Sequence, residues 1–209
     1  MTKHYLDNQD LSAKILNGIN KLTDNVATTL GPKGRNVILF HRKQGVPVIT
    51  KDGVTVAKFV EFEDHFENVG AQIVKQAAEQ SASKAGDGTT TATVLTRAIL
   101  RESQKYLSAG VSPIEIKRGM DKAVVKIVDR LKELATPIRS EEDIRHVATI
   151  SANNDVSIGT LISTAVDQAG KDGSVLVEEA RSINTSLDLI EGFRFDSGYL
   201  SSTFINNER

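Results

Sequence analysis

The segment Gly86-Asp87-Gly88-Thr89-Thr90-Thr91 sets a carboxylate between two glycines and follows it with three hydroxyls, where a helical pattern begins. Glycines adopt positive φ readily, so consecutive backbone N–H groups can converge on one point, and the positive end of a helix starting at Thr89 adds to the field there. Such a concavity suits an anion. The hydroxyls offer further donors to phosphate oxygens, whereas the Asp87 carboxylate would be repelled unless a divalent cation lay between, which implies Mg2+ and hence a nucleoside triphosphate. The same residues also read as punctuation, with glycines ending one helix and Asp87 or Thr89 capping the next. The segment by itself supports both readings equally.

Two further segments carry chemistry-bearing residues. Thr29-Leu30-Gly31-Pro32-Lys33-Gly34 is a glycine-rich bend that can bring backbone close to a base or phosphate, although a helix-to-strand turn accounts for it more simply. In Lys51-Asp52-Gly53 the acid could orient a water or a metal, or could merely form a turn. Other chemistries lack their residues. Gly31-Pro32-Lys33-Gly34-Arg35-Asn36 has neither the spacing nor the GK[ST] ending of a P-loop, and no G-x-G-x-x-G or G-x-S-x-G occurs. The histidines at 4, 41, 65 and 146 are too scattered for a metal site, and the absence of cysteine excludes disulfides, thiol catalysis and Cys-ligated zinc.

These segments must be held by the elements around them. From Asn8 the apolar residues Leu11, Ile15, Ile19, Leu22 and Val26 recur at helical spacing and predict a helix that ends before the first bend. Arg35–Phe40 reads as a strand, and the alternation on both sides of Lys51-Asp52-Gly53 predicts two strands around a tight turn. A helix is expected from about Glu63 to Lys84, with Phe66, Val69, Ile73 and Ala77 inward. Another runs from Thr89 to about Ser108 with Leu95, Ile99, Glu102 and Tyr106 at helical spacing. Ser112, Pro113 and Glu115 announce the next as N-cap, first helical residue and capping-box partner. It carries Met120, Val124, Ile127, Leu131 and Leu134 on one face and stops near Pro137.

Beyond that proline, Ser140 caps a short helix, the stretch 149–153 interrupts the pattern, and Asp155 begins a helix with Ile158, Leu161, Ile162, Ala165 and Ala169 inward, ended by Gly170. Residues 173–179 and 185–192 are expected to form a strand pair, and the aromatic-rich tail then reads as the start of a third unit.

Composition bounds the partners. Hydrophobic residues at 39% and charged residues at 25% suit a soluble helical protein with a core, and no apolar run is long enough for a membrane span. The polar start lacks the apolar centre of a signal peptide, so a cytoplasmic protein is expected. A net charge of −1 without a basic cluster argues against nucleic acid, leaving a small anion or another protein.

Taken together, residues 29–39 (TLGPKGRNVIL), 49–58 (ITKDGVTVAK), 85–95 (AGDGTTTATVL) and 149–153 (TISAN) closely resemble a group I chaperonin subunit of the bacterial GroEL type, in order and in spacing. Residues 191–200 (EGFRFDSGYL) are similar to that family's approach to its apical domain, so the likeness spans the chain and covers the N-terminal portion of a typical subunit. The resemblance implies a mainly α equatorial domain with a small β-sheet over residues 1–134. It further implies an α/β intermediate hinge over 135–190 and the start of an α/β apical domain over 191–209.

It implies site residues as well. Thr29, Leu30, Gly31 and Pro32 match the family's first nucleotide-contacting bend, Lys51 its second contact, and Asp87, Gly88, Thr89, Thr90 and Thr91 its phosphate and Mg2+ loop, with Asp87 as the metal ligand. Asp52 matches a catalytic acid that works with a second acid from the later part of the family's chain, and K+ binds near the first bend. Where the family has a Pro and an aromatic, this chain has Ser202 and Thr203, leaving Tyr199, Leu200 and Phe204 as client-gripping residues.

The function so implied is an ATP-dependent chaperone subunit of a double homo-oligomeric ring. It would hydrolyse Mg-ATP to bind, enclose and refold non-native proteins with a lid co-chaperonin. The alternative is a truncated or specialised paralogue, a nucleotide-binding or regulatory module without a folding cycle. By itself the 209-residue chain is expected to be inactive.

Overall fold

A computed structural model describes residues 7–41, 45–170, 173–178, 185–192, 198 and 201. The chain divides into two compact units, Met1–Leu134 and Ala135–Arg209. In the first, helix α1 (Asn8–Ala27) is followed by strands β1 (Val37–Phe40) and β2 (Pro47–Thr50), the short helix α2 (Gly53–Phe59), and the long helices α3 (His65–Ala85), α4 (Thr89–Ser108) and α5 (Pro113–Leu134). The second contains α6 (Glu141–Ser151) and α7 (Val156–Ala169).

The core of the first unit forms where α1 meets α2, α3 and β1. Ile19, Leu22 and Val26 on the α1 stripe are buried against Val56 and Ala57 of α2, Ala71 and Val74 of α3, and Leu39 of β1. Helix α3 turns an unexpected face inward. Gly70, Ala71, Val74, Lys75 and Ala78 are buried, whereas Val69 and Ile73, expected inside, are exposed. Helices that cross closely need small residues at the crossing. A Cβ on Gly70 would lie 2.1 Å from the Ile15 carbonyl oxygen, and one on Gly18 would lie 1.9 Å from that of Glu67. Lys75, buried on that face, donates from Nζ to the Lys58 carbonyl at 3.3 Å, which gives its buried ammonium a partner. Around the crossing, Lys14 pairs with Asp64, Lys21 with Glu67 at 2.7 Å, and Arg97 of α4 with Asp24 of α1.

The strands differ from expectation. β1 and β2 pair antiparallel with Val37 opposite Thr50 and Phe40 opposite Pro47, but the residues after Gly53 form α2 rather than a second strand. Asp52 is an N-cap: its carboxylate accepts from the Val54 and Thr55 amides, and the helix then buries Val56 and Ala57 on one side. A β-branched run that alternates in sequence has thus been held helical by its cap and by burial.

In α4, the expected stripe of Leu95, Ile99 and Tyr106 is exposed, and Thr93 is the buried position. The α5 stripe from Met120 to Leu134 exists as read, with no residue of that helix buried. At its start Ser112 Oγ accepts from the Ile114 amide at 3.3 Å, while the Glu115 carboxylate takes Arg118 instead of completing a capping box.

In the second unit Ser140 and Asp143 form a reciprocal capping box at the start of α6, and Asp155 caps α7 through the Ser157 and Ile158 amides. The interruption comes at Ala152–Asn154, where Asn153 and Asn154 have φ of 56° and 68°, so Thr149, Ile150 and Ser151 remain helical. Gly159 packs directly on Thr149, which sets the closeness of the two helices. The α/β character and strand pair expected after residue 134 are absent among the described residues: 173–178 and 185–190 belong to neither helix nor strand. A strand exists only through its ladder, and neither stretch has a paired edge there.

Candidate functional site

Three segments distant in sequence meet at the N-terminus of α4. Thr29 is buried at the end of α1; its hydroxyl lies 2.8 Å from the Val26 carbonyl, to which it donates, and 3.3 Å from the Thr90 hydroxyl. From the other side, Gly53 at the first turn of α2 sits under the same residue. A Cβ there would lie 2.2 Å from Thr90 Oγ1 and 3.3 Å from Val26. The structure therefore brings Thr29, the Asp52–Gly53 turn and Thr90 together. Gly53, which sequence reasoning passed over as a turn former, is the close-approach position.

The bend after α1 is a backbone-defined turn. Gly31 has φ of 73°, the Gly34 amide donates to the Gly31 carbonyl at 2.9 Å, and the Arg35 amide returns to the Thr28 carbonyl at 2.8 Å. Leu30 is exposed on it, as is Pro32, so the bend presents backbone and an apolar side chain outward.

The Gly86–Thr91 loop joins α3 to α4 through two left-handed glycines, Gly86 at φ 71° and Gly88 at φ 81°. No side chain caps α4. Its first ladder bond is the Ala92 amide to the Gly88 carbonyl at 2.8 Å, so the amides of Thr89, Thr90 and Thr91 precede the ladder. The exposed Asp87 carboxylate accepts from the Gly88 amide at 2.6 Å, and the Asp87 carbonyl accepts from Ser81 Oγ at 2.7 Å. Gly86 ends α3 as the punctuation reading has it, but neither Asp87 nor Thr89 caps α4 through its side chain, and among the described residues the Thr89, Thr90 and Thr91 amides stand ahead of the ladder without a backbone partner.

Asp52 has a different environment. Its carboxylate accepts from the Thr55 amide at 2.8 Å, the Thr55 hydroxyl at 2.6 Å and the Val54 amide at 3.3 Å, while its own amide donates to Thr50 Oγ1 at 3.0 Å. Partial burial pushes the carboxyl upward, but these donors, with the charge of Lys58, outweigh it and hold the group below the ordinary carboxylate range. A carboxylate so held stays ionised at neutral pH and orients a water better than it abstracts a proton. Asp is a preferred N-cap residue, and Asp52 placed just before an apolar run is the one signal in the sequence that could have revealed α2. Lys51, half-buried beside Asp52, has no ion-pair partner among the described residues.

The donor set fits a metal-bound phosphate. Free helix N–H groups and threonine hydroxyls suit phosphate oxygens. Among the described residues no group of three or more His, Cys, Asp or Glu is gathered, so a cation at Asp87 would draw its remaining ligands from phosphate and water, as Mg2+ commonly does. Tyr199, Leu200 and Phe204 lie outside the described residues.

Residues 22–208 match the model of the TCP-1/cpn60 chaperonin family. Among solved structures, the chain is similar to a group III chaperonin in the open state, with 29% identity over 77% of this chain and 32% of that one, and a TM-score of 0.62. It is similar also to chaperonin gp146 from the bacteriophage EL 2 (Pseudomonas aeruginosa), determined in the presence of ATP-BeFx. There identity is 27% over 74% of this chain and 27% of that one, with a TM-score of 0.62. The chain thus spans less than a third of the length of either chaperonin.

Proposed function

The chain belongs to the TCP-1/cpn60 chaperonin family, and from that premise we propose that its first unit binds Mg-ATP at the α4 N-terminus as part of a protein-folding ATPase. The observation that carries this reading is the meeting of Thr29, Gly53 and Thr90 at an uncapped helix start. A nucleoside triphosphate on this site would bring three phosphates' worth of negative charge and, with Mg2+, a polarised terminal phosphorus.

The residues of the chain then divide the work. The amides and hydroxyls of Thr89, Thr90 and Thr91 would hold phosphate oxygens, and the Asp87 carboxylate, which accepts from the Gly88 amide, would hold the cation. Backbone at Thr29, Leu30, Gly31 and Pro32 would face the nucleotide, the bend would also hold K+, and Lys51 would add positive charge. Asp52, kept ionised by its cap bonds, orients the attacking water.

Coupling to folding requires differential affinity, since a nucleotide can move a ring only by binding one of its states better than the other. We assign the finer features on the resemblance of the four loop segments: a group I type of subunit, a cytoplasmic double ring, a lid co-chaperonin, and non-native clients gripped in part by Tyr199, Leu200 and Phe204. Calorimetric titration of the intact protein with ATP, with and without Mg2+, tests the core of the reading. Binding that needs Mg2+ supports it, and absence of binding in both conditions overturns it.

A further inference from the structure

Ser81 ties the loop from beneath, and its bond runs in an unusual direction. In α4 and α7 the hydroxyls of Thr93, Thr96, Ser103, Thr160 and Thr164 each donate to the carbonyl four residues back, the local option for a helical hydroxyl. Ser81, in the last turns of α3, instead donates forward across the helix end to the Asp87 carbonyl at 2.7 Å. The same oxygen lies 3.3 Å from where a Cβ of Gly88 would stand, so it packs along the edge of the Asp87–Gly88 peptide that carries the Asp87 oxygen and the Gly88 Cα.

A trans peptide points its C=O and N–H in opposite directions. Fixing the Asp87 carbonyl toward Ser81 therefore aims the Gly88 amide away from α3, and the Asp87 carboxylate is found on that amide at 2.6 Å. Apart from that carboxylate, Ser81 is the only hydrogen-bond partner of this peptide among the described residues, and left-handed Gly86 and Gly88 beside it put little steric limit on its plane.

We propose that Ser81 is a positioning residue of the phosphate and Mg2+ site: its hydroxyl fixes the plane of the Asp87–Gly88 peptide and so presents the Gly88 amide and the Asp87 carboxylate together on the ligand side. This rests on the proposed function, and the experiment separates the two. Ser81→Thr and Ser81→Val have nearly the same shape and differ in the hydroxyl. In the intact protein, Ser81→Val should bind Mg-ADP about 3- to 10-fold more weakly than Ser81→Thr, the worth of one hydrogen bond. The difference should shrink when Mg2+ is omitted, and amide exchange at Gly88 should quicken in Ser81→Val alone. Melting temperatures of the two variants without nucleotide give the stability comparison, which a purely structural hydroxyl would move in place of the Mg2+-dependent difference. Equal Mg-ADP affinity of the two variants, where wild type binds, overturns the role of Ser81 and leaves the function standing. Failure of wild type to bind Mg-ADP overturns both.

Discussion

Gly70→Ala tests the close crossing on which the first unit is built. An alanine Cβ at position 70 would lie 2.1 Å from the Ile15 carbonyl oxygen and 2.9 Å from its carbonyl carbon, both backbone atoms of α1. Ordinary contact begins near 3.4 Å, so α1 and α3 must separate by about 1 Å, with Ile19, Leu22 and Val26 drawn away from Ala71 and Val74. Overpacking of this kind costs about 1–3 kcal/mol and occasionally more. Replacing glycine inside a helix returns about 1 kcal/mol. Because the clash is with backbone atoms that cannot rotate away, the cost should lie near the upper end, about 3 kcal/mol, leaving a net loss of about 2 kcal/mol, or a fall of about 4–8 °C in melting temperature for a chain of this size.

Gly119→Ala is the control, because that glycine is also inside a helix but meets nothing within 4 Å, so only the helical gain of about 0.5–1 kcal/mol remains. Urea unfolding of both variants gives the comparison. A Gly70→Ala protein as stable as Gly119→Ala would mean that α1 and α3 do not cross so closely at Gly70.

Other expectations follow from the site and the core. Gly53→Ala would displace the Thr90 hydroxyl, so Mg-ATP affinity should fall by roughly tenfold or more, the worth of a charge-assisted hydrogen bond; unchanged affinity counts against Thr90 as a phosphate donor. Asp52→Ala should slow hydrolysis more than binding while costing about 1 kcal/mol of stability as a lost cap, and equal loss of binding and turnover speaks against its catalytic role. The folded-state pKa of Asp52 is depressed, so its stabilising contribution is present above the unfolded value near 4. It is lost as pH falls through the lower folded value, and an acid titration of Asp52→Asn should lack that component. Thr23 is fully buried and its hydroxyl has no partner among the described residues, so Thr23→Val should raise stability by about 1 kcal/mol in thermal melts; a lower melting temperature would show that the hydroxyl is satisfied.

The long helices were legible because their punctuation is local. Gly86, Ser140, Asp155 and Gly170 end or start helices through bonds within a few residues, and those positions were readable without tertiary information. Which face turns inward was harder to read. Apolar size suggested Val69 and Ile73, but the crossing with α1 selects Gly70 and Ala71 because close backbone approach needs small residues there. The α2 segment misled for a related reason: Val54, Thr55 and Val56 favour a strand, and the cap from Asp52 together with burial of Val56 and Ala57 decides against it.

At the site, the residue types of Gly86–Thr91 and the bend at Gly31 were visible in sequence. Their convergence on Thr90, and the tie from Ser81, are products of the fold, since they join residues 6 to 61 positions apart through side chains whose types are unremarkable alone.

In the proposed function this loop holds nucleotide through a cation on Asp87. Equilibrium binding of ATP to the intact protein, with Mg2+ present, compared between wild type and Asp87→Ala, tests it most directly. Wild type should bind and the variant should lose affinity by at least about 10–100-fold, the scale seen even for residues that only support a metal ligand. Equal binding by the two proteins would contradict it.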